Sequence, residues 1–178
     1  MILTIAACLA IHLPGEIPYR HTITKISCRY HVDPRLVVSV IETESRFRRY
    51  AMRIEKDGNT SLGLMQVKVR TARWLGFRKP ARTLYLPWIN LFYGVRYLAM
   101  NIRRYRDVWD GVSAYNAGRS LWKRRIHGYK NGRYVASVWR NYSRLLGRDH
   151  GYPDLHRTII RRSRILVPNG VLYAMAGQ

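Results

Sequence analysis

Between Pro87 and about Tyr105, Leu91, Val95, Leu98 and Ile102 recur at spacings of four, three and four residues. Side chains so spaced share one face of an α-helix, whereas a strand would alternate them between two faces. The run therefore specifies a helix with one buried stripe, and Arg96, Arg103 and Arg104 fall on its other side. Pro87 suits the first turn, where its missing N–H would have no partner within the helix.

The same periodicity, punctuated by Pro and Gly, recurs along the chain. It predicts helices from Pro18 to about Tyr30, from Pro34 to about Phe47, over Thr71–Leu75, from Val108 to Asn116 and from Tyr134 to Leu146. Asp33 offers a side-chain acceptor at the second start, and Gly76, Gly118 and Gly147 provide stops. Residues 48–61 are polar and turn at Asp57-Gly58-Asn59, so a loop or short hairpin is expected before the apolar stretch Leu62–Val67. The fold class is mainly α.

With 178 residues, 47% of them apolar, the chain can fill one core and little of a second. We divide it into an apolar N-terminal segment at 1–15, a single domain at 16–148 and a basic extension at 149–178. Residues 1–13 carry no Lys or Arg and are too short to span a bilayer, which takes about 20 residues. An export signal, a membrane-surface anchor and a packed segment all fit them. The extension reads as a helix from Pro153-Asp154 through Leu166, docked on the core with its arginines in solvent; lying on an anionic membrane is the alternative.

Two cysteines, Cys8 and Cys28, are too few for a disulfide framework and lack metal-site spacing. One bridge stays open, but Cys28, among Ile23, Ile26 and Tyr30, reads first as a buried free thiol.

Thirty-two Lys and Arg against ten Asp and Glu give a formal charge of +22, spread along the chain. Such a field attracts polyanions, including nucleic acids and anionic cell envelopes, without choosing among them. No finger, zipper or other nucleic-acid motif accompanies it, so a nucleic-acid-binding protein is the rival from another class and no specific nucleic acid is expected.

Glu44 follows Ile41, Val40, Val37 and Leu36 by three, four, seven and eight residues, which puts a carboxyl on an apolar face. Lost hydration disfavours its charged form, and a proton retained near neutral pH is what a general acid needs. A Glu buried against one of the many arginines is the structural alternative. Glu42 falls where Arg46 can pair with it four residues on.

Glu44-Ser45 with Phe47 is followed in order by Gly63-Leu64-Met65-Gln66, Asn90-Leu91 with Gly94 and Tyr97-Leu98, Ala114-Tyr115-Asn116-Ala117-Gly118, and Tyr134-Val135 with Val138. On these residues, from about Tyr19 to Leu146, the chain resembles the lytic transglycosylase family, the soluble-transglycosylase branch of the lysozyme-like superfamily. The resemblance implies a helical lysozyme-like domain with a groove for peptidoglycan glycan strands, Glu44 as catalytic acid and base, and no cofactor or metal. It also implies that Ser45, Gln66, Tyr115, Asn116 and Tyr134 shape the groove and orient the sugar, with Met65 packing the loop beneath. The expected product is a 1,6-anhydro end, made by a monomer at the cell wall or in the periplasm. A phage lysis or entry enzyme, or a secretion-system wall opener, suits so basic a chain.

Two positions depart from the pattern. A Pro common shortly after the Gln of the glycine loop is replaced by the run Val67-Lys68-Val69-Arg70. Goose-type lysozymes, which hydrolyse the same bond, have one Asp six residues before that Gly and another two after that Gln; here Asp57 fills the first place and Lys68 the second. Asp57 is thus the candidate second carboxylate of a hydrolytic alternative, or a simple turn former beside Gly58.

Overall fold

The computed structural model describes residues 4–55, 57–123, 128–147, 166–167 and 171–172. Seven helices carry the described part of the chain. They are α1 (Ile5–Leu9), α2 (Arg20–Arg29), α3 (Pro34–Glu44), α4 (Val69–Trp74), α5 (Pro87–Tyr105), α6 (Val108–Ala117) and α7 (Gly132–Leu145), with a 3-10 turn at Ala81–Tyr85. Between α3 and α4 lies an antiparallel sheet of β1 (Met52–Ile54), β2 (Thr60–Leu62) and β3 (Val67–Lys68) in sequence order. Two hairpins, β4–β5 (Trp122–Lys123 and Gly128–Tyr129) and β6–β7 (Leu166–Val167 and Val171–Leu172), follow.

α3 forms because Asp33 and Pro34 start it and an unbroken apolar face continues it. The Asp33 carboxylate accepts the Arg35 backbone N–H at 2.8 Å and also the Tyr142 hydroxyl of α7 at 2.8 Å, so one residue caps α3 and ties it to α7. Val37, Val40 and Ile41 are fully buried, each contributing roughly 1.5–3 kcal/mol relative to exposure. α3 packs along α7 and α5 along α6. The α5–α6 crossing needs Gly111, since a Cβ there would lie 2.7 Å from the Ile102 Cα.

α3 stops at Glu44, three residues before the expected end. Arg46 and Phe47 take φ of 51° and 60°, left-handed values that no helix continues through. Arg46 is thereby turned off the helix surface, its backbone N–H bonding the Glu42 carbonyl at 3.2 Å. The expected Glu42–Arg46 ion pair is not among the ion pairs of the described residues.

Cys28 is not a free thiol. Cys8 and Cys28 form a disulfide with an S–S distance of 2.09 Å, which fastens α1 to α2. Leu13 then enters the main core. Sequence distance concealed the pairing, because only the return of the segment onto α2 brings the two Cα atoms within 5.4 Å. Most of the expected terminal helix lies outside the described residues, and its last position, Leu166, stands in strand β6. No helix among the described residues is long and apolar enough to cross a membrane.

Candidate active site

A cavity of about 120 Å³ opens where the end of α3, the sheet and the end of α6 meet. Glu44, Arg53, Ser61, Gln66, Lys68 and Asn116 are among the residues lining it. Glu44 occupies the last turn of α3, its side chain only 5% exposed. Burial pushes its carboxyl up to about 7, although the Tyr134 hydroxyl and the Arg53 charge pull the other way. The apolar face that forms the helix thus delivers a carboxyl that keeps its proton near neutral pH.

Tyr134 reaches Glu44 from α7, its hydroxyl donating to Oε1 at 2.8 Å. Burial, then the Glu44 charge, raises the Tyr134 phenol well above its usual range, so it remains a donor. Opposite, the Arg53 guanidinium approaches Glu44 Oε2 at 3.8 Å from β1, beyond hydrogen-bond reach.

The glycine loop is held by its backbone. Buried Asn90 accepts the Met65 N–H at 2.8 Å and donates to the Leu62 and Leu84 carbonyls at 2.7 and 2.8 Å. Gly63 turns through φ 75°, and a Cβ there would lie 2.6 Å from the Leu84 carbonyl. Gln66 bonds the Ala51 and Gly63 carbonyls, both at 3.0 Å, and Tyr115 donates to the Met65 carbonyl at 2.7 Å. The missing Pro has a structural counterpart: Val67 is buried in β3, paired with Leu62.

Of the expected site residues, Glu44, Gln66, Tyr115 and Asn116 line the cavity, and Tyr134 contacts it through Glu44. Two do not reach it. Ser45 is 1% exposed and donates to the Leu64 carbonyl at 2.7 Å, fastening the end of α3 to the loop. Met65 is fully buried, its side chain packed where a Cβ on Gly94 would fall. Ser45 and Met65 thus hold the structure around the cavity without lining it.

Asp57 is absent from the cavity lining. It is exposed, and its carboxylate accepts the Asn59 N–H at 3.1 Å, a turn-forming role. Lys68, at the other place where a goose-type lysozyme has Asp, does line the cavity, as a cation. Sequence reasoning assigned no role to Arg53, Ser61 or Tyr97, which also line it. Tyr97 lay within a quoted motif; Arg53 and Ser61 become visible only once the strands are paired.

No group of three or more metal-ligating side chains occurs among the described residues. Among the described residues, Glu44 is the single carboxylate in the cavity lining. The arrangement can donate one proton and take one back, beside two cations and several hydrogen-bonding groups.

Residues 21–136 match the family model of the transglycosylase SLT domain. A transglycosylase of Enterobacteria phage PRD1 is 32% identical over 137 residues, covering 76% of this chain and 47% of its own length. Invasion protein IagB of Salmonella typhimurium is 29% identical over 121 residues, covering 66% of this chain and 72% of its own. The chain thus spans about half of the phage relative. A solved structure of an inactive mutant of the lytic transglycosylase Slt from Pseudomonas aeruginosa superimposes with a TM-score of 0.60 at 19% identity, covering 74% of this chain and 25% of that one. That likeness supports the lysozyme-like fold, and with the family match across most of the described helices, the chain belongs to the transglycosylase SLT domain family.

Proposed function

We propose that the protein is a peptidoglycan lytic transglycosylase that cleaves the β-1,4 bond between N-acetylmuramic acid and N-acetylglucosamine, with Glu44 as its one acid and base. The observation that carries this reading is a cavity carboxyl, the one carboxylate of the lining among the described residues, which is buried, held by Tyr134 and pushed up to about 7. Glu44 gives its proton to the bridging oxygen as the bond from that oxygen to the muramic C1 breaks, and the departing glucosamine leaves with a hydroxyl. The 6-oxygen of the same muramic residue bonds to C1, and its proton passes to the Glu44 carboxylate, restoring the starting state. No water is consumed, so the second carboxylate of glycoside hydrolysis is not required.

Tyr134 orients Glu44, while Gln66, Tyr115 and Asn116 offer the groove's polar contacts. The charge of +22 favours encounter with anionic bacterial envelopes, whether the enzyme is phage-delivered or exported. Mass analysis of fragments released from purified sacculi tests the reading. Anhydro-muramic ends are expected; reducing ends would overturn transglycosylation, and no release at all would overturn wall cleavage. Glu44→Gln keeps the shape and removes the acid, so normal clearing by that variant would overturn the role of Glu44.

A further inference from the structure

Beside Glu44, the hairpin carries a chain of charges for which a single acid-base residue has no direct use. Arg53 and Ser61 are cross-strand partners in the β1–β2 register. Both donate to the same carboxylate oxygen of Glu55, Arg53 through Nε at 3.1 Å and Ser61 through its hydroxyl at 2.6 Å. Burial opposes the Glu55 charge, but these two donors outweigh it and hold its carboxyl below the usual range. Glu55 is therefore ionised when Glu44 is not. Its grip on Nε leaves the Arg53 Nη2 facing Glu44 Oε2 at 3.8 Å, short of a direct hydrogen bond.

We propose that Arg53 and Glu55 are positioning residues for Glu44: Glu55 holds the guanidinium back while Glu44 keeps its proton, and leaves it near enough to attract the carboxylate formed once that proton is given away. The proposal rests on the reading of Glu44 as acid and base. Its physical basis is the opposite charge of the two residues. An unrestrained Arg53 would close on Glu44 and favour its ionised form at rest, removing the acid, whereas a missing Arg53 would leave the new, largely buried carboxylate with Lys68 as its one remaining nearby cation among the described residues. The other groups facing Glu44 are Tyr134 from α7, Tyr115 from α6 and Lys68 from β3. None of them is linked to Glu55 by a hydrogen bond or ion pair among the described residues.

Substitutions at the two positions should move Glu44 in opposite directions. Titration of the Glu44 side-chain carboxyl in protein labelled with carbon-13 at glutamate, assigned by its loss in Glu44→Gln, reads this without relying on activity. Arg53→Gln should raise the midpoint by roughly 0.5–1 on the pH scale, the size expected of one half-exposed charge about 4 Å away. Glu55→Gln should lower it, by removing a repelling charge and freeing Arg53. The double variant should fall between the single ones.

The alkaline limb of cleavage rate against pH, measured on purified sacculi, should follow the same order. Thermal unfolding identifies a variant with a damaged hairpin; Ser61→Ala then replaces it, loosening Glu55 without changing a charge and shifting the midpoint down by a smaller amount. Shifts of equal sign in Arg53→Gln and Glu55→Gln, or no shift in folded variants, overturn the proposal. Opposed shifts in a protein that releases nothing from sacculi would instead leave the charge relation standing and overturn the enzymatic reading.

Discussion

Replacing Glu44 with Gln should abolish cleavage and make the protein more stable, by an amount that depends on pH. The folded state holds this carboxyl at about 7 against 4.5 for the free group. Between those values the unfolded chain has released the proton and the folded chain has not, so stability falls as pH rises through that window. The stabilisation is fully present below about 4.5 and lost once pH passes about 7. At ~1.36 kcal/mol per pH unit, the deficit above the window is roughly 3 kcal/mol. Gln occupies the same space, accepts the Tyr134 hydroxyl and has no charge to desolvate. Thermal unfolding of wild type and Glu44→Gln should therefore give similar midpoints near pH 4 and separate toward pH 8, by roughly 6–12 °C for a chain of this size. A separation that is equal at both pH values, or reversed at pH 8, would refute desolvation as the cause of the raised value.

Tyr134→Phe removes a donor that serves the ionised form of Glu44. The alkaline limb of the rate profile should move upward, and kcat should fall roughly tenfold or more, since hydrogen bonds to charged groups contribute ~1.5–3 kcal/mol. Gly94→Ala would bring a Cβ within 2.5 Å of the Met65 Sδ and 2.8 Å of its Cβ. Denaturant unfolding should show a loss of about 1–3 kcal/mol, as for other overpacked cores. Asp57→Asn should change neither the rate nor the anhydro product of sacculus digestion, because the side chain is exposed and outside the cavity.

The helices were legible wherever a stripe met its punctuation. α5 runs from Pro87 to Tyr105 as its pattern requires, because the stripe is long and Pro87 leaves little choice of start. α3 was misjudged at its end, where Arg46 and Phe47 adopt left-handed backbone that no spacing announces. The sheet was legible only as a hairpin, since β1 is exposed at all three positions and shows no alternation. Glu44 declared itself by standing on an apolar face. Gln66, Tyr115, Asn116 and Tyr134 needed the ordered motifs. Met65 packs beneath the loop as the motif implied, whereas Ser45 shows the limit of that route, because a motif residue can hold the loop without lining the cavity. Arg53 and Glu55 carried no signal at all, for their relation to Glu44 exists only after β1 folds back on β2.

The disulfide between Cys8 and Cys28 makes chemical surroundings a determinant of shape. Bridges of this kind persist in oxidising compartments and are rare where glutathione and thioredoxin keep thiols reduced. In a reducing cytoplasm the stretch from Ile5 to Leu13 would rely on packing alone to stay on α2. Outside it, the bridge closes a loop over a separation of 20 residues, and such closures restrict the unfolded chain by roughly 3 kcal/mol. The same polypeptide would thus be loosely fastened in a reducing compartment and firmly fastened in an oxidising one.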